Sequence, residues 1–155
     1  MIVDTPTKYF LVSGCAEGIT ELNALDAALI NAGVGNTNLI RLSSILPPRC
    51  EEIPPVRIPQ GALLPAAYSS ITSDEPGRAL TAAVSIAFPE DEDHCGLIME
   101  YHDFAPCADV EERVRQMALA GMDFRGQKVK GVESLSCEHV VRETGAAFAA
   151  VVLWN

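Results

Sequence analysis

The sequence predicts an α+β layered domain, and three observations carry that prediction. Two helix-like and about six strand-like stretches lie along 155 residues. They do not alternate as a βαβ array requires, and the final strand-like stretch is apolar almost throughout. The length suits a single domain, 1–155, able to bury a core without disulfides or metal staples.

The stretch YFLVSG near the N-terminus reads as a first strand. TELNALDAALINAG, from Thr20 to Gly33, reads as a helix with Thr20 as N-cap and Gly33 as terminator. NLIRL at 38–42 is a short strand. Five prolines between Ser43 and Gly61 rule out regular structure there and imply a stiff, extended excursion. ALTAAVSIAF (79–88) and CGLIMEYHD (95–103) read as two strands of a hairpin, joined by the acidic turn PEDEDH. Asp109 opens a second helix in a capping-box relation with Glu112, and Val110, Val114, Met117 and Gly121 follow at helical spacing to an end near Phe124. KVKGVESLSCEHVV and AAFAAVVLWN close the chain as strands joined by RETG, and the apolar last one is expected in the middle of a sheet.

Composition narrows the function classes. Hydrophobic residues are 48% and charged residues 21% of the chain, and no apolar run reaches the roughly eighteen residues of a membrane span. No signal-type segment opens the chain, so a soluble, cytoplasmic protein is expected. Twenty-one acidic against eleven basic residues give a net charge of -10, which disfavours nucleic acid and weakly favours a cationic ligand. The five cysteines are widely spaced with no CxxC pair, so they read as reduced packing thiols. His94, His102 and His139, with Cys95 or Asp93, show no metal-ligand spacing, and EDEDHC reads as a solvated turn. Phosphate-loop, dinucleotide-binding, nucleophile-elbow and zincin motifs are all absent.

Two carboxylates and a serine pair remain. Projected at about 100° per residue, Asp26 falls between Leu22 and Ile30, on the side that carries Leu25 and Leu29. The economical reading is a partly buried carboxylate satisfied by an amide or a cation, and the sharper one an anionic wall for a cationic ligand. Glu100 shares a strand face with Ile98 and His102, while Leu97, Met99 and Tyr101 take the other. The residues alone favour a surface glutamate, whereas a half-covered face would raise its pKa and suit it to proton donation. Ser43 and Ser44, taken alone, are two loop serines.

In its longer context, LNALDAALINAGVGNTNLIRLSSILPP (22–48), the pair closely resembles the pyruvoyl-dependent arginine decarboxylases, and GLIMEYHD (96–103) is similar to that family's strand with the catalytic glutamate. The resemblance implies an αββα sandwich and a trimer of cleaved protomers with active sites between subunits. It implies self-cleavage between Ser43 and Ser44, giving chains 1–43 and 44–155. The Ser44 hydroxyl would attack the Ser43 carbonyl to form an ester, and elimination then hydrolysis would convert residue 44 to a pyruvoyl group with loss of ammonia. That covalent group is the implied cofactor, serving as an electron sink in place of pyridoxal phosphate, with no metal. Asn38, six residues upstream of Ser44, matches a residue associated with processing. Glu100 matches the proton donor, Asp26 the guanidinium-binding residue, Leu22 an apolar wall beside the substrate's methylenes, and Gly35 and Thr37 a substrate-contacting loop. L-arginine and agmatine are the implied substrate and product, in polyamine metabolism or acid resistance. Two alternatives stay open: a pyruvoyl decarboxylase for another amino acid, and an uncut trimeric binding protein. Arg49 and Cys50, after the prolines, carry no signal that the sequence alone can interpret.

Overall fold

In the computed structural model, which describes residues 4–155, the order of elements is β1 (Lys8–Glu17), α1 (Glu21–Asn31), β2 (Asn38–Arg41), β3 (Ile45–Leu46), β4 (Glu51–Glu52), β5 (Leu63–Ser73), β6 (Ala79–Pro89), β7 (Gly96–Asp103), α2 (Cys107–Phe124), β8 (Val129–Val140) and β9 (Gly145–Trp154). The strands form two sheets, β2-β5-β9-β1-β4 and β3-β7-β6-β8. β6 and β7 pair antiparallel, as the hairpin reading requires.

The apolar pattern of β9 explains the layering. Ala147, Ala149, Val151 and Leu153 point between the sheets, where they meet Leu80, Ala82, Val84, Ile86 and Ile98. The alternate residues Ala146, Phe148, Ala150 and Val152 point outward and are covered by Ala24 and Ala28 of α1. Both faces of β9 are therefore buried, and its period-two alternation disappears from the sequence. On the other side, Val110, Val114, Ala118 and Met122 lie in one i, i+4 row of α2 and cover Ala83, Ala87 and Leu97. The result is an α–β–β–α sandwich with three apolar interfaces.

The helix ends differ in how they are held. Thr20 accepts from the Asn23 N–H at 3.2 Å, and Gly33 ends α1 with φ of +82°, both as the sequence indicates. α2 instead begins two residues before the expected Asp109, with Pro106 at the cap position and no side-chain cap bond. The Cys107 N–H donates to Glu138 Oε2 on β8 at 2.6 Å, so a neighbouring strand supplies the acceptor that a local capping box would have supplied. Burial of its branched and long side chains, at about 1.5–3 kcal/mol each, outweighs the roughly 1 kcal/mol that a cap contributes.

Among the described residues, nine strands replace the expected six or so. β3 and β4 are two-residue bridges within the proline-rich excursion, and β5 was hidden by its composition, LLPAAYSSITS. Pro65 lies ahead of the ladder with β9, which starts at Ala66, so its missing N–H leaves no gap there. The five thiols are unpaired and part-buried, in keeping with packing cysteines. Burial pushes Cys50 up to about 11 and Cys137 up to about 12, which leaves both unreactive near neutral pH.

The turn from β8 into β9 carries the chain from one sheet to the other, and Glu17 closes it. Its carboxylate accepts from the N–H groups of Arg142 (2.9 Å), Glu143 (3.0 Å) and Thr144 (3.0 Å), and meets His139 Nε2 at 2.5 Å. Burial alone would raise this carboxyl, but the hydrogen bonds from Arg142, His139, Glu143 and Thr144 bring it from 4.5 down to about 2. A depressed carboxyl stabilises the fold above its unfolded pKa and loses that contribution as pH falls towards its folded value. Thermal denaturation of Glu17→Gln should therefore show a lower Tm than the parent at pH 7, with the gap closing between about pH 4.5 and 2. A gap independent of pH would contradict this role for the carboxylate.

Candidate active site

The chain leaves β2 at Arg41, and the Leu42 N–H still reaches the Ala66 carbonyl at 3.0 Å. Ser43 is exposed, whereas Ser44 is buried and sits at φ of +73°. A left-handed serine costs roughly 1–3 kcal/mol, so its surroundings must hold it. The Ile98 N–H donates to the Ser44 carbonyl at 2.9 Å, and the next two residues pair as β3 with the start of β7, Ile45 with Leu97 and Leu46 with Gly96. The Ser44 hydroxyl then donates to the Glu100 carboxylate.

Glu100 lies in the middle of β7, across from Val84 of β6. The surface reading of Glu100 is overturned: α2 covers the Leu97–Met99 face, and the Ile98–Glu100 face turns towards the other sheet, leaving the carboxyl half-buried. Burial pushes its pKa up, opposed by the Ser44 hydrogen bond and by the positive charge of Arg41. Arg41 itself stacks over Tyr68, its guanidinium carbon 4.0 Å from the ring centroid. The sequence did not mark Arg41, because the link between the end of β2 and the middle of β7 exists only in the folded sandwich. The pair can therefore orient a serine hydroxyl beside a carboxyl that holds its proton more firmly than usual.

Asp26 corrects a second expectation. α1 packs through its small residues Ala24 and Ala28, with Leu25 and Leu29 partly buried, so the Leu22–Asp26–Ile30 row faces outward. Asp26 is exposed, and Leu22 and Ile30 remain 75% and 54% exposed. Amphipathic projection ranked long aliphatic residues above alanine, whereas close helix–sheet packing chose alanine.

One turn beyond Asp26, Ile30 lines an open cleft of about 450 Å³ together with Gly35, Asn36, Thr37, Arg57 and Gln60. Gly35 is required there, since a Cβ would lie 2.5 Å from the Ile30 side chain and 2.6 Å from its backbone nitrogen. The Thr37 hydroxyl donates to the Val34 carbonyl at 2.7 Å and fixes this turn. Asn38 opens β2, with its amide donating to the Gly61 carbonyl at 3.0 Å. The predicted residues thus fall into two groups. Ser43, Ser44 and Glu100 form one, and Leu22, Asp26, Gly35, Thr37 and Asn38 belong with α1 and its exit. Among the described residues, no hydrogen bond or ion pair joins the two groups within one chain.

The sandwich is shared with a solved pyruvoyl-dependent histidine decarboxylase, with a TM-score of 0.51 at 14% identity over 64% of this chain and 53% of that one. This likeness defines the architectural class. The family model for pyruvoyl-dependent arginine decarboxylase matches residues 8–155, so the chain belongs to that family. A pyruvoyl-dependent arginine decarboxylase from Methanocaldococcus jannaschii is 50% identical over 149 residues, covering 96% of this chain and 90% of the relative. One from Pyrococcus abyssi is 42% identical over 153 residues, covering 97% and 96%.

Proposed function

We propose that this protein cleaves itself between Ser43 and Ser44, converts Ser44 to a pyruvoyl group, and decarboxylates L-arginine to agmatine and carbon dioxide. The observation that carries this reading is the left-handed, buried Ser44 whose hydroxyl lies on Glu100, in a chain half identical to a relative named for that activity. The uncut backbone is strained at residue 44, and scission of the preceding peptide bond removes one restraint that maintains the strain. The Ser44 hydroxyl is the nucleophile towards the Ser43 carbonyl.

The surroundings of residue 44 fit the pyruvoyl group, because its carbonyl is fixed by Ile98 and its side chain meets a half-buried carboxyl. When formed, the group supplies a ketone that takes up the substrate's α-amine and the electron pair left by carbon dioxide. Glu100, with its raised pKa, delivers a proton to the substrate α-carbon. Asp26 receives the guanidinium through two parallel hydrogen bonds, with Leu22 beside the methylenes and Gly35 and Thr37 lining the entry. Asn38 assists processing.

Because Asp26 and Glu100 belong to separate groups of one chain, a complete site requires two copies, with α1 of one facing Ser44 of the next. The solvated apolar side chains of Ile19 (90% exposed), Leu22 and Ile30 around Asp26 support a trimer in which this face is covered. No helix among the described residues is long and apolar enough to cross a membrane, and the unpaired thiols suit a reducing compartment such as the cytoplasm.

The test is a comparison of carbon dioxide release from L-arginine with release from lysine, ornithine and histidine, for the parent and for Asp26→Asn. The parent should prefer arginine. The variant should be cut normally but lose about 10²-fold in kcat/KM for arginine, as expected when a charged ligand group loses its paired acceptor. Unchanged arginine turnover in the variant would contradict the role of Asp26, and a parent that prefers lysine, ornithine or histidine would overturn arginine as the substrate.

A further inference from the structure

Arg49 occupies a left-handed backbone position, φ of +57°, in the turn that follows the proposed scissile bond. The turn is closed by the Cys50 N–H on the Pro47 carbonyl at 3.3 Å, with Pro48 and Arg49 at its corners. Glycine or asparagine is the usual choice for such a corner, so an arginine there is maintained by its side chain. Its Nε and Nη2 both donate to Asp93 Oδ1, at 3.1 and 2.8 Å, and Nη1 lies 3.5 Å from Glu92 Oε2. Glu92 also holds Lys130 of β8 at 3.3 Å, and the Asp93 N–H is tied to Asp91 Oδ1 at 3.0 Å. These acidic residues form the turn that leads into β7, the strand of Glu100.

We propose that Arg49 is a positioning residue, clasped by Asp93 and by Glu92, which Lys130 holds in turn, and that it keeps the segment starting at residue 44 on β7 after the chain is cut. The inference rests on the proposed cleavage between Ser43 and Ser44. Cleavage turns residue 44 into a chain end, and chain ends fray unless tied down. Close to that end the ties are the Ile98 bond and the two-residue strand β3. The next restraint is the clasp, and the rings of Pro47 and Pro48 stiffen the chain between it and β3. The clasp therefore joins the new end to the turn before Glu100, so that residue 44 and Glu100 are both referred to the β6–β7 hairpin. Its side chains are half to four-fifths exposed, so each pair is weak alone and the network is sensitive to salt.

The test compares Arg49→Gly, Asp93→Asn and the double variant with the parent, using glycine because it keeps the left-handed corner while removing the clasp. Fragment masses, hydrogen exchange of residues 45–50, kcat and KM are measured at low salt and at about 1 M salt, where screening reaches about 3 Å. In each single variant, exchange should rise and kcat should fall by about five-fold with KM unchanged, and the double variant should be no worse. High salt should bring the parent to the level of Arg49→Gly. Parental exchange and kcat in Arg49→Gly, or losses that add in the double variant, would overturn the proposal. A parent that remains one uncut chain overturns the cleavage reading itself, which the fragment masses reveal separately.

Discussion

Ser44→Ala is expected to yield a single uncut chain with no detectable release of carbon dioxide from L-arginine. Alanine has no oxygen to attack the Ser43 carbonyl and cannot give rise to a ketone at residue 44, so one substitution removes both the maturation chemistry and the group it creates. The fold should survive. The variant loses the hydroxyl that donates to Glu100, and a half-buried acceptor without its partner costs about 1–3 kcal/mol, well within the stability of a typical domain. Circular dichroism should show the parental secondary structure with a Tm a few degrees lower. Denaturing electrophoresis should show one band where the parent gives two. Cleavage of this variant between residues 43 and 44 would show that the hydroxyl is not the nucleophile.

Glu100→Gln should separate the two chemistries. Glutamine keeps an acceptor oxygen for the Ser44 hydroxyl, so the serine stays oriented and cleavage should proceed largely as in the parent. It has no acidic proton to give the substrate α-carbon, and loss of a general acid typically costs 10²- to 10⁴-fold. The expected result is a normally cut protein whose kcat falls about 10²-fold or more. The pH profile gives the same residue a second signature. Burial raises the Glu100 pKa, so the protonated donor persists above the ordinary carboxylate range and is lost as pH rises through the raised value. The parent's kcat should fall on that alkaline limb, and the small residual rate of Glu100→Gln should not. Equal turnover in the two proteins would refute the assigned role.

The fold was legible wherever local chemistry decides local structure. Thr20 and Gly33 bracket α1 because a cap bond and a left-handed stop are properties of those residue types. The apolar run of β9 announced its central place because both its faces are covered. β5 was not legible: its proline and serines look like loop chemistry, and only the ladder with β9 makes a strand of them. The start of α2 was misplaced for a similar reason, since its first N–H is satisfied by Glu138 from another element.

The site divides along the same line. Asp26 and Glu100 stand out by helical and strand periodicity and Ser43 and Ser44 as an adjacent pair, and the family resemblance gives all four their roles, but residue spacing could not bring Ser44 to Glu100, which the β3–β7 pairing does. Period two correctly put Glu100 on the face of Ile98 and could not say that the face is covered. Helical projection put Asp26 on the wrong side because α1 buries alanines and leaves leucine and isoleucine in solvent. Arg49 gains its partners only in the fold, where the acidic turn before β7 lies beside it.

Maturation and activity both depend on what happens between residues 43 and 44, and the mass of the freshly purified protein under denaturing conditions reports it most directly. Two species are predicted, 1–43 and 44–155, with the larger lighter by one ammonia than the same chain beginning with serine. A single uncut species in a preparation that releases carbon dioxide from L-arginine would contradict the account.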